Sequence, residues 1–305
     1  MPPLVFAFDD SAQIARRIAE ELSAETGHLF SKAFPDDETY LRFDTPVANR
    51  EVVLVCSLDR PDKKFLPLVF AAATARELGA RRVVLIAPYL AYMRQDNRFQ
   101  PGEAVSSTYF AKSLSAWFDG LVTIDPHLHR YHDLSEVYDI PNRVLHAADT
   151  IAAWIAEHVP GALIVGPDSE SEQWVSAVAQ TAGVPFTVLH KTRHGDRDVE
   201  ISLPKVEVWQ DRIPILVDDI ISTARTMIET VGNLQKAGLP PPVCIGVHAI
   251  FADDAFLALH EAGARHILTC DTVRHPTNEI SVAPLVAAGC SDLLVELSSN
   301  ADAPK

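Results

Sequence analysis

The feature that most limits what this chain can fold into is a rhythm in its apolar residues. Short runs rich in Val and Ile alternate with stretches of helical periodicity, and the alternation runs through twice. In the first half, residues 5–8, 51–55, 82–87 and 121–124 read as strands, and 11–22, 65–78 and 105–117 as helices. In the second half, strands are expected at 162–165, 186–189, 213–217, 243–250 and 266–269, with helices at 149–157, 172–181, 226–237 and 253–262. The strand segments are apolar along their length rather than at every second position, which implies parallel sheets covered on both faces. The expected fold class is therefore α/β, with two domains, each a mostly parallel sheet flanked by helices. A chain of 305 residues with 48% hydrophobic content can fill two cores. The boundary is expected near residues 146–150, dividing 1–147 from 148–305. Ser11 and Asp149 are placed to cap the helices that follow them. The tail from Ser298 reads as frayed, with the last residues available to pack back on the first domain.

Charge narrows the partners. With 26 Lys and Arg against 41 Asp and Glu, the formal net charge is -15. Such a chain repels nucleic acid and anionic membranes at long range, so neither is expected as a partner. Small anionic substrates remain compatible, because local cations and magnesium reverse the field inside a pocket. The opening MPPLVFAFDD has no basic region of the kind that begins a signal peptide, and no run of 18 apolar residues occurs. Cys56, Cys244, Cys270 and Cys290 form no CxxC pair and read as reduced, buried thiols of a cytoplasmic protein.

One segment carries most of the chemistry. In VDDIISTARTM, residues 217–227, a buried strand ends in Asp218 and Asp219, a Ser/Thr loop follows, and a helix begins. Open α/β sheets bind ligands at the carboxyl ends of their strands. A helix amino terminus offers N–H groups and a positive dipole end to a phosphate. Ser222, Thr223 and Thr226 add hydroxyl donors, and the two carboxylates are suited to vicinal ribose hydroxyls. The plainer alternative is a strand ending in a solvated Asp pair beside an ordinary helix cap.

VDDIISTARTM resembles the phosphoribosyl-diphosphate motif shared by type I phosphoribosyltransferases and ribose-phosphate diphosphokinases. Further segments favour the diphosphokinases, in an archaeal-type form: AFPDDETYLRF, PYLAYMRQDNRFQPGEAVSS, DPHLHRYHDLSEVYDIP, VGPDSESE and LHKTRHGDRDVE. The resemblance covers nearly the whole chain and implies two tandem type I phosphoribosyltransferase-like domains. It also implies transfer of the β,γ-diphosphate of Mg-ATP to ribose 5-phosphate. It assigns Phe34, Asp36, Glu38, Arg94, Gln95 and Asp96 to ATP, with the segment around Phe34 reaching ATP across a subunit interface, hence at least a homodimer. It assigns Asp218, Asp219, Ser222, Thr223, Ala224, Arg225 and Thr226 to ribose 5-phosphate, His127 and Asp168 to Mg²⁺, and Lys191 and Arg193 to catalysis. Taken alone, Phe34 reads equally as a core aromatic, His127 as a histidine beside a strand end held by Asp125, and Lys191 and Arg193 as part of a solvated turn.

Two loops depart from the family pattern. Ala224 and Arg225 stand where glycine is common, and Ser169, Glu170 and Ser171 stand where small residues and glycine follow Pro-Asp. Glycine serves there because the backbone approaches phosphate closely or takes a positive φ. Arg225 is expected to point outward. These changes keep two other readings open: a non-catalytic regulatory homologue, and a phosphoribosyltransferase. The latter would lack the long ATP-contacting segments.

Overall fold

A computed structural model of the chain describes residues 2–128, 130–167, 171–193, 199–202 and 208–301. The chain divides into two compact units. The first comprises Met1–His146, Thr272–Arg274 and Val282–Lys305; the second comprises Ala147–Asp271 and His275–Ser281.

The first unit is built from β1 (Leu4–Ala7), α1 (Ala12–Glu21), β2 (Glu25–Gly27), β3 (Leu29–Ala33), β4 (Thr39–Phe43) and β5 (Glu51–Val55). It continues with α2 (Pro61–Glu77), β6 (Arg82–Ala87), α3 (Ser106–Ser115), β7 (Gly120–Ile124) and β8 (Asn142–Leu145). The strands β2-β1-β5-β6-β7-β8 form one parallel sheet in that order. Its central strands are the continuous apolar runs, and Val52 to Val55 are each fully buried. β3 and β4 form a separate antiparallel hairpin.

The second unit is built from α4 (Ala148–His158), β9 (Ala162–Gly166), α5 (Glu172–Ala182), β10 (Phe186–Val188), β11 (His190–Arg193), β12 (Val199–Ser202), β13 (Ile213–Ile221) and α6 (Arg225–Lys236). β14 (Val243–Ala249), α7 (Ala255–Glu261), β15 (His266–Cys270) and β16 (Asn278–Ile280) complete it. Its parallel sheet runs β10-β9-β13-β14-β15-β16, the same spatial pattern as the first. Each sheet therefore has one place where successive connections depart in opposite directions: between β1 and β5, and between β9 and β13. Ligands of open parallel sheets bind at such switch points.

The last helix, α8 (Ala283–Ala301), groups with the first unit rather than with the second. It packs on β7 and β8. Arg82, on β6, is buried and fastens it: the guanidinium donates to Leu297 O at 2.7 Å and Ser298 Oγ at 3.2 Å, and pairs with Glu51 at 2.5 Å. The expected division into 1–147 and 148–305 thus differs from the observed units in one whole helix. Two expected caps also differ. Ser11 stands before α1, but its hydroxyl accepts the Ser57 N–H at 2.9 Å and makes no capping bond. Asp149 lies inside the first turn of α4 and accepts a bond from Thr181 at 3.2 Å.

At the switch point of the first unit, polar groups fill the strand ends. Lys64, only 5% exposed, donates to Asp59 at 2.6 Å, Ser57 O at 2.8 Å and Asp10 at 3.2 Å. Burial by itself favours the neutral amine, but the Asp59 hydrogen bond and the charges of Asp59 and Asp10 outweigh it and raise the Lys64 pKa. All four cysteines are buried and none forms a disulfide. Among the described residues no helix is long and apolar enough to cross a membrane.

Candidate functional site

In the second unit the corresponding strand ends differ in character. β9 ends at Gly166, where a Cβ would lie 2.5 Å from Ser171 Oγ and 2.8 Å from Val188 Cγ1. Glycine there lets α5 and β10 close tightly around the start of the next loop. Asp168 and Glu170, which follow in the sequence, lie outside the described residues.

β13 runs further than expected, to Ile221, and pairs with β14 through Asp218↔Gly246, Ile220↔His248 and Ile221↔Ala249. Asp218 and Asp219 are half-buried near its end, and the Asp218 carboxylate accepts the Asp219 N–H at 3.0 Å. The chain beyond β14 secures the exit: Ile250 N donates to Ile221 O at 3.1 Å, and Ala252 N to Ser222 O at 3.2 Å. Ser222 and Thr223 follow, half-buried and exposed respectively.

Ala224 then takes the left-handed conformation, φ 55° and ψ 11°, at the N-cap of α6. The glycine-like backbone that the loop calls for is therefore adopted without glycine, at a cost of about 1–2 kcal/mol for an L-residue. Alanine has no side-chain acceptor, so the N-cap residue of α6 makes no capping bond. A Ser, Thr, Asp or Asn normally occupies that position and consumes one of the first-turn N–H groups. Here the helix dipole and those donors face an end without such an acceptor, an arrangement complementary to an anion. Arg225 and Thr226 open the helix, both exposed.

Lys191 and Arg193 lie on β11, which pairs antiparallel with β12 through Lys191↔Ile201 and Arg193↔Val199. Their side chains are outside the described structure. An antiparallel pair of strands thus supports this segment.

In the first unit, Phe34, Asp36 and Glu38 form the tip of the β3–β4 hairpin. Phe34 N donates to Glu38 O at 2.7 Å, and Asp37 turns the chain at φ 66°. Phe34, Pro35, Asp36 and Glu38 line a shallow pocket. Phe34 is 42% exposed, so it is no core aromatic; its ring meets Tyr40 edge-on, and Lys32 Nζ lies 5.2 Å from its centroid.

Arg94 and Gln95 are exposed, and Gln95 Oε1 accepts the Ser106 hydroxyl at 2.7 Å. The Asp96 carboxylate is 1% exposed and paired with Arg130 at 2.7 Å.

His127 is half-buried just past β7. Asp125, at φ 34°, pairs with His146 at 2.8 Å, and that hydrogen bond raises the His146 pKa. His146 and Arg130 escaped sequence reading, because their partners lie 21 and 34 residues away.

Comparison with known proteins agrees with this geometry. Residues 4–117 match the N-terminal domain of ribose phosphate pyrophosphokinase, and residues 133–285 match the phosphoribosyl transferase domain. Ribose-phosphate pyrophosphokinase of Methanopyrus kandleri is 35% identical, over 95% of this chain and 99% of that protein. Its counterpart from Methanothermobacter thermautotrophicus is 32% identical, over 93% and 98%. The crystal structure of phosphoribosylpyrophosphate synthetase from Mycobacterium smegmatis superposes with a TM-score of 0.81 at 25% identity, covering 96% of this chain and 99% of that one. Both units are thus of the phosphoribosyltransferase type, and the chain belongs to the ribose-phosphate pyrophosphokinase family of diphosphate-transferring enzymes.

Proposed function

We propose that this enzyme moves the β,γ-diphosphate of Mg-ATP onto the anomeric hydroxyl of ribose 5-phosphate, releasing AMP. The observation that carries the substrate assignment is the start of α6, whose N-cap residue Ala224 supplies no side-chain cap, directly after the Asp218–Asp219 strand end. The amides and hydroxyls of Ser222, Thr223, Ala224, Arg225 and Thr226 hold the 5-phosphate. Asp218 and Asp219 accept hydrogen bonds from the ribose hydroxyls. Phe34, Asp36, Glu38, Arg94 and Gln95 bind ATP, with the hairpin tip serving a second copy's nucleotide, so the working unit is a homodimer or larger.

The donor chemistry fits magnesium: half-buried carboxylate oxygens stand at the β13 end, and Mg²⁺ prefers oxygen and accompanies nucleotide phosphates. His127 and Asp168 are the positions assigned to hold it, and when bound it neutralises charge on the phosphate oxygens. Lys191 and Arg193 stabilise charge developing at the transferred group, which is the main task in phosphoryl chemistry. The protein is assigned to the cytoplasm.

Ala224 speaks against a non-catalytic homologue, since the altered loop keeps the left-handed backbone that a glycine would supply. Incubation with Mg-ATP and ribose 5-phosphate, monitored for AMP, tests the reading. Release of AMP that depends on ribose 5-phosphate supports it. Folded protein that binds both substrates without releasing AMP overturns it in favour of the regulatory alternative.

A further inference from the structure

The segment of residues 94–103 is held at its base by the Ser106 hydroxyl on Gln95 and by Arg130 on Asp96. Asp96 turns its carboxylate inward, where Oδ1 accepts from Arg130 Nη1 at 2.7 Å. The other oxygen is buried and has no hydrogen-bond partner among the described residues. A buried carboxylate with half its acceptor capacity unused depends heavily on the one cation it has. Three residues further on, Phe99 is 63% exposed, and the same guanidinium lies 5.1 Å from its ring centroid. Arg130 therefore bridges the base of the segment and a residue near its tip. The neighbouring Tyr131 reinforces the base: its hydroxyl lies 3.5 Å from Asp96 O and 3.4 Å from Ser107 Oγ. Within the segment, Glu103 accepts the N–H groups of Phe99 and Gln100 at 2.7 and 3.0 Å, and Arg98 donates to Glu103 O at 2.9 Å. These bonds close the tip on itself; the Asp96–Arg130 pair ties the segment to the chain beyond β7, beside the Ser106–Gln95 bond that ties it to α3.

From this geometry we infer that Arg130 is a positioning residue for the nucleotide. It acts through Asp96 and Phe99 to hold the exposed side chains of Arg94 and Gln95 in their binding arrangement. The inference rests on the assignment of Arg94 and Gln95 to ATP. Arg130 touches no reacting atom in this scheme. Its removal should therefore weaken ATP binding and leave ribose 5-phosphate binding alone.

The test uses the full-length protein and the variants Arg130→Met, Arg130→Lys, Asp96→Asn and Asp96→Asn/Arg130→Met. Three quantities are measured: ATP affinity by calorimetry, the KM for each substrate, and amide exchange of residues 94–103 without ligand. Arg130→Met should weaken ATP binding about tenfold, equal to about 1.4 kcal/mol. The KM for ribose 5-phosphate should stay within about twofold. Exchange should accelerate in 94–103 and not in the β-sheet. Arg130→Lys should recover part of the loss, because it restores the charge without the planar fork. The double variant should lose less than the two single losses together, because Asp96→Asn removes the stranded charge. Unchanged ATP affinity in Arg130→Met overturns the inference, as does an equal loss for both substrates accompanied by a general rise in exchange. Failure of the parent protein to bind ATP overturns the functional assignment itself, and this inference with it. Parent binding with an unaffected Arg130→Met variant overturns this inference alone.

Discussion

Ala224 offers the sharpest test of how the loop between β13 and α6 is shaped. Its φ of 55° is one that L-residues avoid, because Cβ crowds the following carbonyl. Replacement by glycine relieves about 1–2 kcal/mol of that crowding. The methyl group is only 8% exposed and packs in the cluster with Ile221, Met227 and Val231, so its loss costs about 0.8 kcal/mol. The freer unfolded chain costs a further 0.4–1 kcal/mol or so. These contributions nearly cancel, and Ala224→Gly should change stability by less than about 1 kcal/mol. Valine has the opposite balance. A β-branched residue in the left-handed region is a true outlier, so Ala224→Val should lose at least about 2 kcal/mol despite its larger apolar side chain. Urea denaturation followed by circular dichroism, with midpoint and slope both fitted, measures the difference. The ribose 5-phosphate affinity of the glycine variant should stay within about twofold, because the first-turn amides are untouched. A valine variant as stable as the glycine variant would refute the left-handed assignment, and with it the account of how this loop works without glycine.

Four other outcomes follow from the same geometry. Lys64→Met should destabilise the protein by about 3–5 kcal/mol, since it strands the Asp59 carboxylate beside a buried site. Because the folded-state pKa of Lys64 is raised, its stabilising contribution is complete below the ordinary lysine value. That contribution is lost as pH rises through the elevated one, so the gap between parent and variant should be flat at neutral pH and narrow only in strong alkali. Lys191→Ala and Arg193→Ala should each lower kcat by about a hundredfold or more with little change in ATP affinity; loss of ATP binding at normal turnover would reverse their assignment. Asp218→Asn with Asp219→Asn should raise the ribose 5-phosphate KM by about tenfold or more without unfolding the protein, and an unchanged KM would remove the ribose assignment. Arg225 is exposed, so Arg225→Gly should leave ribose 5-phosphate affinity within about threefold, and a loss of about tenfold would show that the guanidinium reaches the phosphate.

Much of the architecture is legible in the sequence by itself, because its physical causes are local. Buried parallel strands such as β5, β6 and β9 must be apolar nearly throughout, and they announce themselves as runs of Val, Ile and Leu. The order strand, carboxylates, hydroxyl loop, helix in residues 213–226 is contiguous, so its parts meet whatever the rest of the chain does. What required the tertiary structure is every arrangement whose partners are distant along the chain. Ser11 has the right type and place for a helix cap, yet its hydroxyl is drawn to the Ser57 amide, 46 residues away. The β3–β4 hairpin alternates exposed aromatic and charged residues, a pattern that does not stand out from a polar loop. α8 is apolar enough to pack on either sheet, and its choice of the first is expressed by Arg82, more than two hundred residues earlier. Asp96 sits among the exposed residues Arg94, Gln95 and Asn97 and gives no local sign that it turns inward, where it pairs with Arg130, 34 residues away. Periodicity reports which face of a segment is covered, whereas pairing between distant charges is decided only when the sheet brings their strand ends together.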